Sequence, residues 1–471
     1  MSTPSLLLKR APVTFALPRE QCISLLGLAC LIYFHTCGGA FGLEPLIGVA
    51  GPAWAVILIL VTPIVWSLPA ALMVAELTSL LPEEGGYYVW IRKAFGPFWA
   101  VQQACWTMAC SMVWLAMYPV LFVSYLSFLI PSLSTSSSTA HLGMAVFSRW
   151  LLGVLVIALG MGLNLRGGRT VGHSAEVGAY FVVVVFAVLL LVWFTRGPTP
   201  SSFVDVIRSD LASTHKGVLL LGLSFLMFNY SGWENASTYA GEVDQPQRNY
   251  PRAIGVALLA LILSYLLPVI AGVTVSTSPA MWDSETGWPV ISQLIGGRWL
   301  GSLVAVAGLV SMLGLFNAQL LYVSRLPYVL ARDGWLPKVF ANNSHDAPIP
   351  KAAIFCFCLI AAIFVAFSFG SLAIIQCVLY VSMMTLDFLA LIAFRVRQPH
   401  ARRSFQIPGG WWGMGYVCIA PFAFAMLVLT ATLRDWRSFP GQLLIVGIVA
   451  ASAIVLYFCR RGVALGRTLG S

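Results

Sequence analysis

Charge is what this sequence has least of. Only 9% of its 471 residues are Asp, Glu, Lys or Arg, where soluble globular proteins carry about 25%. So few charges cannot cover a water-soluble fold, and a chain that is 59% hydrophobic is not a disordered one. Acidic residues are the scarcer sign, 17 against 27 Lys and Arg. Metal and catalytic spacings are missing as well. The ten cysteines (Cys22, Cys30, Cys37, Cys105, Cys110, Cys356, Cys358, Cys377, Cys418 and Cys459) form no CxxC pair, and the six histidines are scattered. The cysteines read as small buried hydrophobes, and neither a metal nor a cofactor is called for. The apolar run at Leu6, Leu7 and Leu8 is too short for a cleavable leader. Soluble enzyme, secreted disulfide scaffold and nucleic-acid binder are excluded together, despite a pI near 9.2.

What the chain has instead is apolar length. Crossing the hydrocarbon core takes about 20 apolar residues, and stretches of that kind recur throughout. Twelve spans are predicted: 22–43, 53–81, 97–123, 148–166, 172–195, 217–240, 252–276, 300–331, 352–368, 371–394, 411–433 and 440–459. The protein is therefore expected to be all-α and integral to a membrane. With a cytoplasmic N-terminus, 20 of the 27 Lys and Arg fall on the cytoplasmic side. Seven fall outside: Arg149, Arg196, Arg208, Lys216, Arg298, Arg434 and Arg437. That bias follows the positive-inside rule and puts both termini in the cytoplasm.

Two spans are interrupted by glycine. Span 1 reads His35-Thr36-Cys37-Gly38-Gly39-Ala40-Phe41-Gly42-Leu43-Glu44-Pro45, and span 6 reads Phe228-Asn229-Tyr230-Ser231-Gly232-Trp233-Glu234-Asn235. Unwound backbone at membrane depth survives only where protein or a water-filled cavity satisfies it. Breaks at matched positions of two five-helix halves point to an inverted-repeat transporter with its substrate site near the midplane. The competing reading is that these glycines only permit close helix packing.

Other motifs carry a resemblance over nearly the full length. They are Met73-Val74-Ala75-Glu76-Leu77 with Pro82-Glu83-Glu84-Gly85-Gly86-Tyr87-Tyr88-Val89-Trp90 and Ala94-Phe95-Gly96-Pro97; Gly241-Glu242-Val243-Asp244 through Asn249-Tyr250-Pro251-Arg252; and Ser324-Arg325 through Asp333-Gly334-Trp335-Leu336-Pro337 with Ala347-Pro348-Ile349-Pro350. In these the chain resembles the amino acid–polyamine–organocation (APC) superfamily. Within it, Gly38-Gly39-Ala40-Phe41-Gly42-Leu43-Glu44 and Tyr118-Pro119-Val120-Leu121-Phe122 look most similar to polyamine/amino acid proton symporters. The resemblance implies a LeuT-type fold of 12 transmembrane helices with a 5+5 inverted repeat and discontinuous helices 1 and 6. The repeats would cover residues 20–196 and 197–397, helices 11 and 12 would cover 398–460, and cytoplasmic tails would cover 1–19 and 461–471. A multi-pass protein of the plasma membrane is implied, with no catalytic residues.

The expected substrate site joins the two breaks. The N–H groups around Cys37, Gly38, Gly39, Ala40, Phe41 and Gly42 suit a carboxylate, as helix N-termini do. Carbonyls freed near Asn229, Tyr230, Ser231 and Gly232 suit an ammonium, with Phe228, Tyr230 and Trp233 as an aromatic lid or cation–π surface. Phe228 aligns with the gating aromatic of the arginine/agmatine antiporters that the chain resembles.

Acidic residues inside a membrane are costly and usually functional. Glu234 aligns with a glutamate that basic-amino-acid and putrescine antiporters carry, where it serves cation recognition or coupling, and is expected in the substrate site as well. A buried carboxyl can exchange a proton near neutral pH, which makes Glu234 the first candidate for H+ coupling. Glu44 reads as a cation attractor or entrance gate at the outer end of span 1. Asp387 reads as a second proton site or a polar bridge. Glu76 and Glu242 read as ion pairs or gate elements, and Glu176 as the charge opening span 5. Sodium coupling is disfavoured: Asn317 and Gln319 stand where a Ser/Thr pair is sought in span 8. The lysine that replaces sodium in some family members is also absent, the place holding Val182, Val183, Val184 and Val185.

The expected function is secondary active transport, proton-coupled, of amino acids or polyamines by alternating access, cationic substrates favoured. A neutral L-amino acid permease or an amino acid/amine exchanger is the alternative. Polyamine uptake relatives carry an acid before the Tyr-Pro of span 3, where this chain has Val113, Trp114 and Leu115, so the substrate class stays open. A channel lacks its filter motif here, and an enzyme lacks its constellation.

Overall fold

The computed structural model describes residues 25–81, 85–133, 142–196, 200–212, 219–235, 246–282, 286–341, 350–401, 403 and 405–469. Glu242 and the 1–19 tail lie outside the described residues. Among the described residues all regular structure is helical, and nine helices are long and apolar enough to cross a membrane.

The nine correspond to nine of the twelve expected spans, and each of the other three has a local cause. Span 1 is two pieces, α1 (Leu25–Thr36) and α2 (Glu44–Ala50), with residues 37–43 uncoiled between them. It also runs further than expected, to Ala50, because α2 starts with Pro45 in its first turn, where the missing N–H costs nothing. Span 6 breaks after Tyr230, at Ser231 and Gly232. Span 9 is only 14 residues long, Lys351–Phe364. Ser368 then caps the next helix by accepting from the Ser371 N–H at 3.3 Å.

Span 2 is α3 (Pro52–Leu80), and its prolines explain two distant tyrosines. Pro63 offers no N–H to the carbonyl one turn back, and that carbonyl, Ile59 O, accepts from the Tyr230 hydroxyl at 2.8 Å. The helix widens to a π turn over Pro63–Ser67, so Leu68 N–H reaches back to Pro63 O. Pro69 cannot repeat that bond for Ile64 O, which accepts from the Tyr416 hydroxyl at 2.5 Å instead. Acidic side chains cap two helix starts: Asp210 accepts from Ala53 N–H at 2.8 Å, and Asp435 from Leu220 N–H at 3.1 Å.

One helix–glycine–helix junction occurs twice in the chain. The ten-residue helix α4 (Gly86–Phe95) ends at Gly96, with φ 89° and ψ −179°, and leads straight into α5 (Pro97–Leu129). The ten-residue helix Gly287–Gly296 ends at Gly297, with φ 89° and ψ 177°, and leads into Arg298–Val323. Only glycine adopts that backbone without strain. The long helices of spans 3, 8 and 10 (α5, Arg298–Val323 and Phe369–Arg397) form the enclosed centre, and the last two, Gly410–Asp435 and Pro440–Leu469, flank it.

Candidate functional site

The two breaks face each other across a small central cavity of about 20 Å³, room for roughly one water. Thr36, Gly38 and Phe41 line it from span 1, and Phe228, Asn229, Ser231 and Asn235 from span 6. Trp114, Tyr118, Leu315 and Gln319 close it from spans 3 and 8. The lining includes no Lys or Arg. Of the expected span 6 aromatics, only Phe228 reaches the cavity. Tyr230 points away to Ile59, and the buried Trp233 indole donates to Tyr230 O at 3.1 Å, so neither forms a lid. Cys37 is buried behind the break, its thiol toward Gly39 O.

Most of the uncoiled backbone is satisfied by side chains from elsewhere, and this changes the chemistry expected there. Tyr265 OH donates to Asn229 O at 2.7 Å and lies 3.4 Å from Thr36 O, tying the two breaks together. Ser311 Oγ donates to Gly38 O at 2.5 Å, and Trp288 Nε1 to Ala40 O at 2.6 Å. Gly232 O accepts from Asn235 N–H. The carbonyls of Asn229, Tyr230 and Gly232 are therefore occupied rather than open to an ammonium. By contrast, no group among the described residues accepts from the N–H groups of Gly38, Gly39, Ala40 or Phe41. Losing a donor to buried carbonyls costs about 1–3 kcal/mol. Tyr265→Phe is accordingly expected to lower the melting temperature of the purified protein, and an unchanged transition would show that the hydroxyl does not hold the breaks.

Three buried carboxylates lie near the breaks, none of them in the lining of this cavity. Glu234 follows directly on the span 6 break, 1% exposed. Its Oε2 accepts from Tyr380 OH at 2.7 Å, and the same hydroxyl accepts from Gly232 N–H at 3.0 Å. Asp387, fully buried two turns further along the Tyr380 helix, accepts from Gln103 Nε2 at 3.0 Å. Asp387 and Glu234 interact electrostatically.

Glu44 is not an exposed entrance group: it is 3% exposed. Its Oε2 accepts from Gly42 N–H at 2.6 Å, and its Oε1 accepts from Tyr125 OH at 2.8 Å and Trp288 N–H at 3.4 Å. The Gly42 N–H, expected to meet a ligand carboxylate, is thus held by the protein's own. Glu44 also lines a second, larger cavity of about 810 Å³.

Glu76 behaves as an ion pair. It accepts from Arg395 Nη2 at 2.5 Å and from Ile407 N–H at 2.9 Å, with Arg403 Nε at 3.4 Å. Glu176 does not open its helix, which begins at Gly168; it lies exposed in the third turn. The residues that sequence reasoning missed are Tyr125, Tyr265, Trp288, Ser311 and Tyr380. Tyr125, Tyr265, Ser311 and Tyr380 sit in apolar runs and Trp288 at a helix start after a polar stretch, none with a telling local pattern, and each partner lies far off in the chain, 81 residues for Tyr125 to Glu44 and 244 for Trp288 to Glu44.

Comparison with known proteins gives the family. The pattern of the family described as amino acid permease matches residues 23–451. The polyamine transporter RMV1 of Arabidopsis thaliana is 33% identical over 412 residues, covering 87% of this chain and 80% of its own length. The polyamine transporter PUT1 of Oryza sativa subsp. japonica is 33% identical over 415 residues, covering 88% and 74%. With broken helices, buried carboxylates and a full-length match all in hand, the chain belongs to the amino acid permease family and is a multi-pass membrane transporter, not an enzyme.

Proposed function

We propose that the chain carries polyamines across the plasma membrane by proton-coupled alternating access, in a twelve-helix LeuT-type fold with both termini cytoplasmic. The observation that carries the substrate class is the set of buried carboxylates Glu44, Glu234 and Asp387, close to the two breaks, together with a central cavity lined by no cation. Carboxylates are retained in an apolar interior when they meet a charge, and a polycation supplies several. The relatives named as polyamine transporters favour the same class. The matched breaks, and the matched Gly96 and Gly297 junctions, support inverted repeats over 20–196 and 197–397. A cavity of about 20 Å³ is far too small for a diamine, so substrate entry requires the helices around it to move. That requirement fits alternating access.

A second reading, amino acid transport, is favoured by one observation: the N–H groups of Gly38 to Phe41 have no acceptor among the described residues. They are placed to hold a substrate carboxylate. A thermal-shift panel on the purified protein separates the two readings, since a ligand at 100 times its Kd stabilises by about 2.7 kcal/mol. Putrescine, spermidine and agmatine are expected to raise the melting temperature, and saturable uptake into proteoliposomes should follow the same order. Stabilisation by arginine, lysine or neutral amino acids alone would replace the polyamine reading with the second.

A further inference from the structure

The large cavity ends on a charge whose partners are all neutral. Four neutral donors orient Glu44 (the N–H groups of Gly42, Trp288 and Glu44 itself and the Tyr125 hydroxyl) but none neutralises it. Among the described residues no Lys or Arg pairs with it. The one basic residue lining this cavity, Arg149, donates to Leu133 O and to Ser124 Oγ.

One aromatic partition divides this cavity from the central one. Phe228, which lines the central cavity, lies against Gly42, where an added Cβ would meet its ring at 2.8 Å. Phe228 meets Tyr118 at 6.0 Å and stands edge-on to Phe369 at 5.2 Å between ring centroids. Phe369 and Phe225, stacked at 5.5 Å, line the large cavity. A carboxylate therefore sits on either side of a single ring, Glu44 in one compartment and Glu234 beside the other, with aromatic walls between them.

We propose that the large cavity is a second ammonium site, with Glu44 as its carboxylate, which holds the trailing amine of a tri- or tetra-amine while the central cavity takes the leading one. Polyamines alternate ammonium groups with alkyl spacers, and the order carboxylate, aromatic partition, carboxylate matches that alternation. Apolar rings suit the spacer, and ammonium groups gain further from ring faces. Arg149 repels a cation and so directs it to the Glu44 end. A diamine engages only one of the two compartments at a time. The inference rests on the polyamine reading and adds to it a preference set by chain length.

Uptake of putrescine and of spermidine by the full-length protein in proteoliposomes tests it, in the wild type, Glu44→Gln and Glu44→Asp. Removal of the Glu44 charge is expected to raise the ratio of the spermidine KM to the putrescine KM about tenfold, equivalent to about 1.4 kcal/mol. Glu44→Asp, which keeps the charge, should restore most of that ratio. Thermal stabilisation of the same variants by the two amines gives the same comparison for any variant that binds without transporting. A ratio unchanged in Glu44→Gln, or KM values that shift by one common factor, would overturn the second site while leaving the polyamine reading intact. A wild type that neither binds nor carries either amine would overturn the polyamine reading itself, and the second site with it.

Discussion

Glu234→Gln is expected to leave a folded protein whose uptake of cationic substrate falls roughly 10- to 150-fold and no longer responds to pH. A charge-assisted hydrogen bond contributes about 1.5–3 kcal/mol, and each 1.4 kcal/mol is a factor of about ten in affinity. The amide keeps the shape of the side chain and can still accept from Tyr380, which now approaches Oε2 at 2.7 Å. It can neither hold a negative charge nor take up a proton. Because Tyr380 also accepts from the Gly232 N–H at 3.0 Å, the protonation state of Glu234 bears on the broken backbone through one hydroxyl. That chain gives a physical route from proton to substrate site. In the wild type, uptake should rise as the outer solution is acidified, as the proposed proton coupling requires. In Glu234→Gln the profile should be flat. Flux and pH profile both unchanged would remove Glu234 from coupling and leave Asp387 and Glu44 as the buried carboxyls near the breaks.

The sequence carried the breaks because they are local: glycines in an apolar run mark where a helix cannot continue. Residues 37–43 and Ser231–Gly232 are uncoiled where the glycines stand. Glu234 and Glu44 were legible for a related reason, since an acidic residue inside an apolar span stands out on its own. What could not be read was the covering of the freed backbone. Tyr265, Ser311, Trp288 and Tyr380 look like ordinary residues of apolar helices, and their roles appear only when helices distant in the chain pack together. The same limit explains Tyr230 and Trp233. Their place beside a break suggested a binding surface, yet Tyr230 is recruited by the carbonyl that Pro63 leaves open. Glu44 was legible as a charge but not as a ligand of its own helix break, because nothing in Gly42-Leu43-Glu44-Pro45 shows that its carboxylate folds back to the Gly42 N–H.

Gly39→Val should abolish uptake and substrate-induced stabilisation together. Gly39 has φ +91°, a conformation that costs an L-residue about 1–3 kcal/mol and suits a β-branched one least. Its added Cβ would stand 2.8 Å from Val182 Cγ1 and 2.9 Å from Phe186 Cε2, and overpacking of this kind costs typically about 1–3 kcal/mol more. The two terms act on the same few atoms of the break, so the backbone around Gly38 to Phe41 must move and its free N–H groups with it. The contact also gives the valine run of span 5 a role. Val182, at the place where some relatives carry a cation, packs against the back of the break. Steric and conformational penalties can then be separated. Gly39→Ala keeps the positive φ but adds one carbon, and Gly39→Ala with Val182→Ala returns the space while leaving the backbone penalty. The double variant should recover part of the lost stability, a coupling of about 0.5–3 kcal/mol as for other contacting pairs. Retained substrate affinity in Gly39→Val, measured by thermal shift with putrescine, would place the binding site away from the span 1 break.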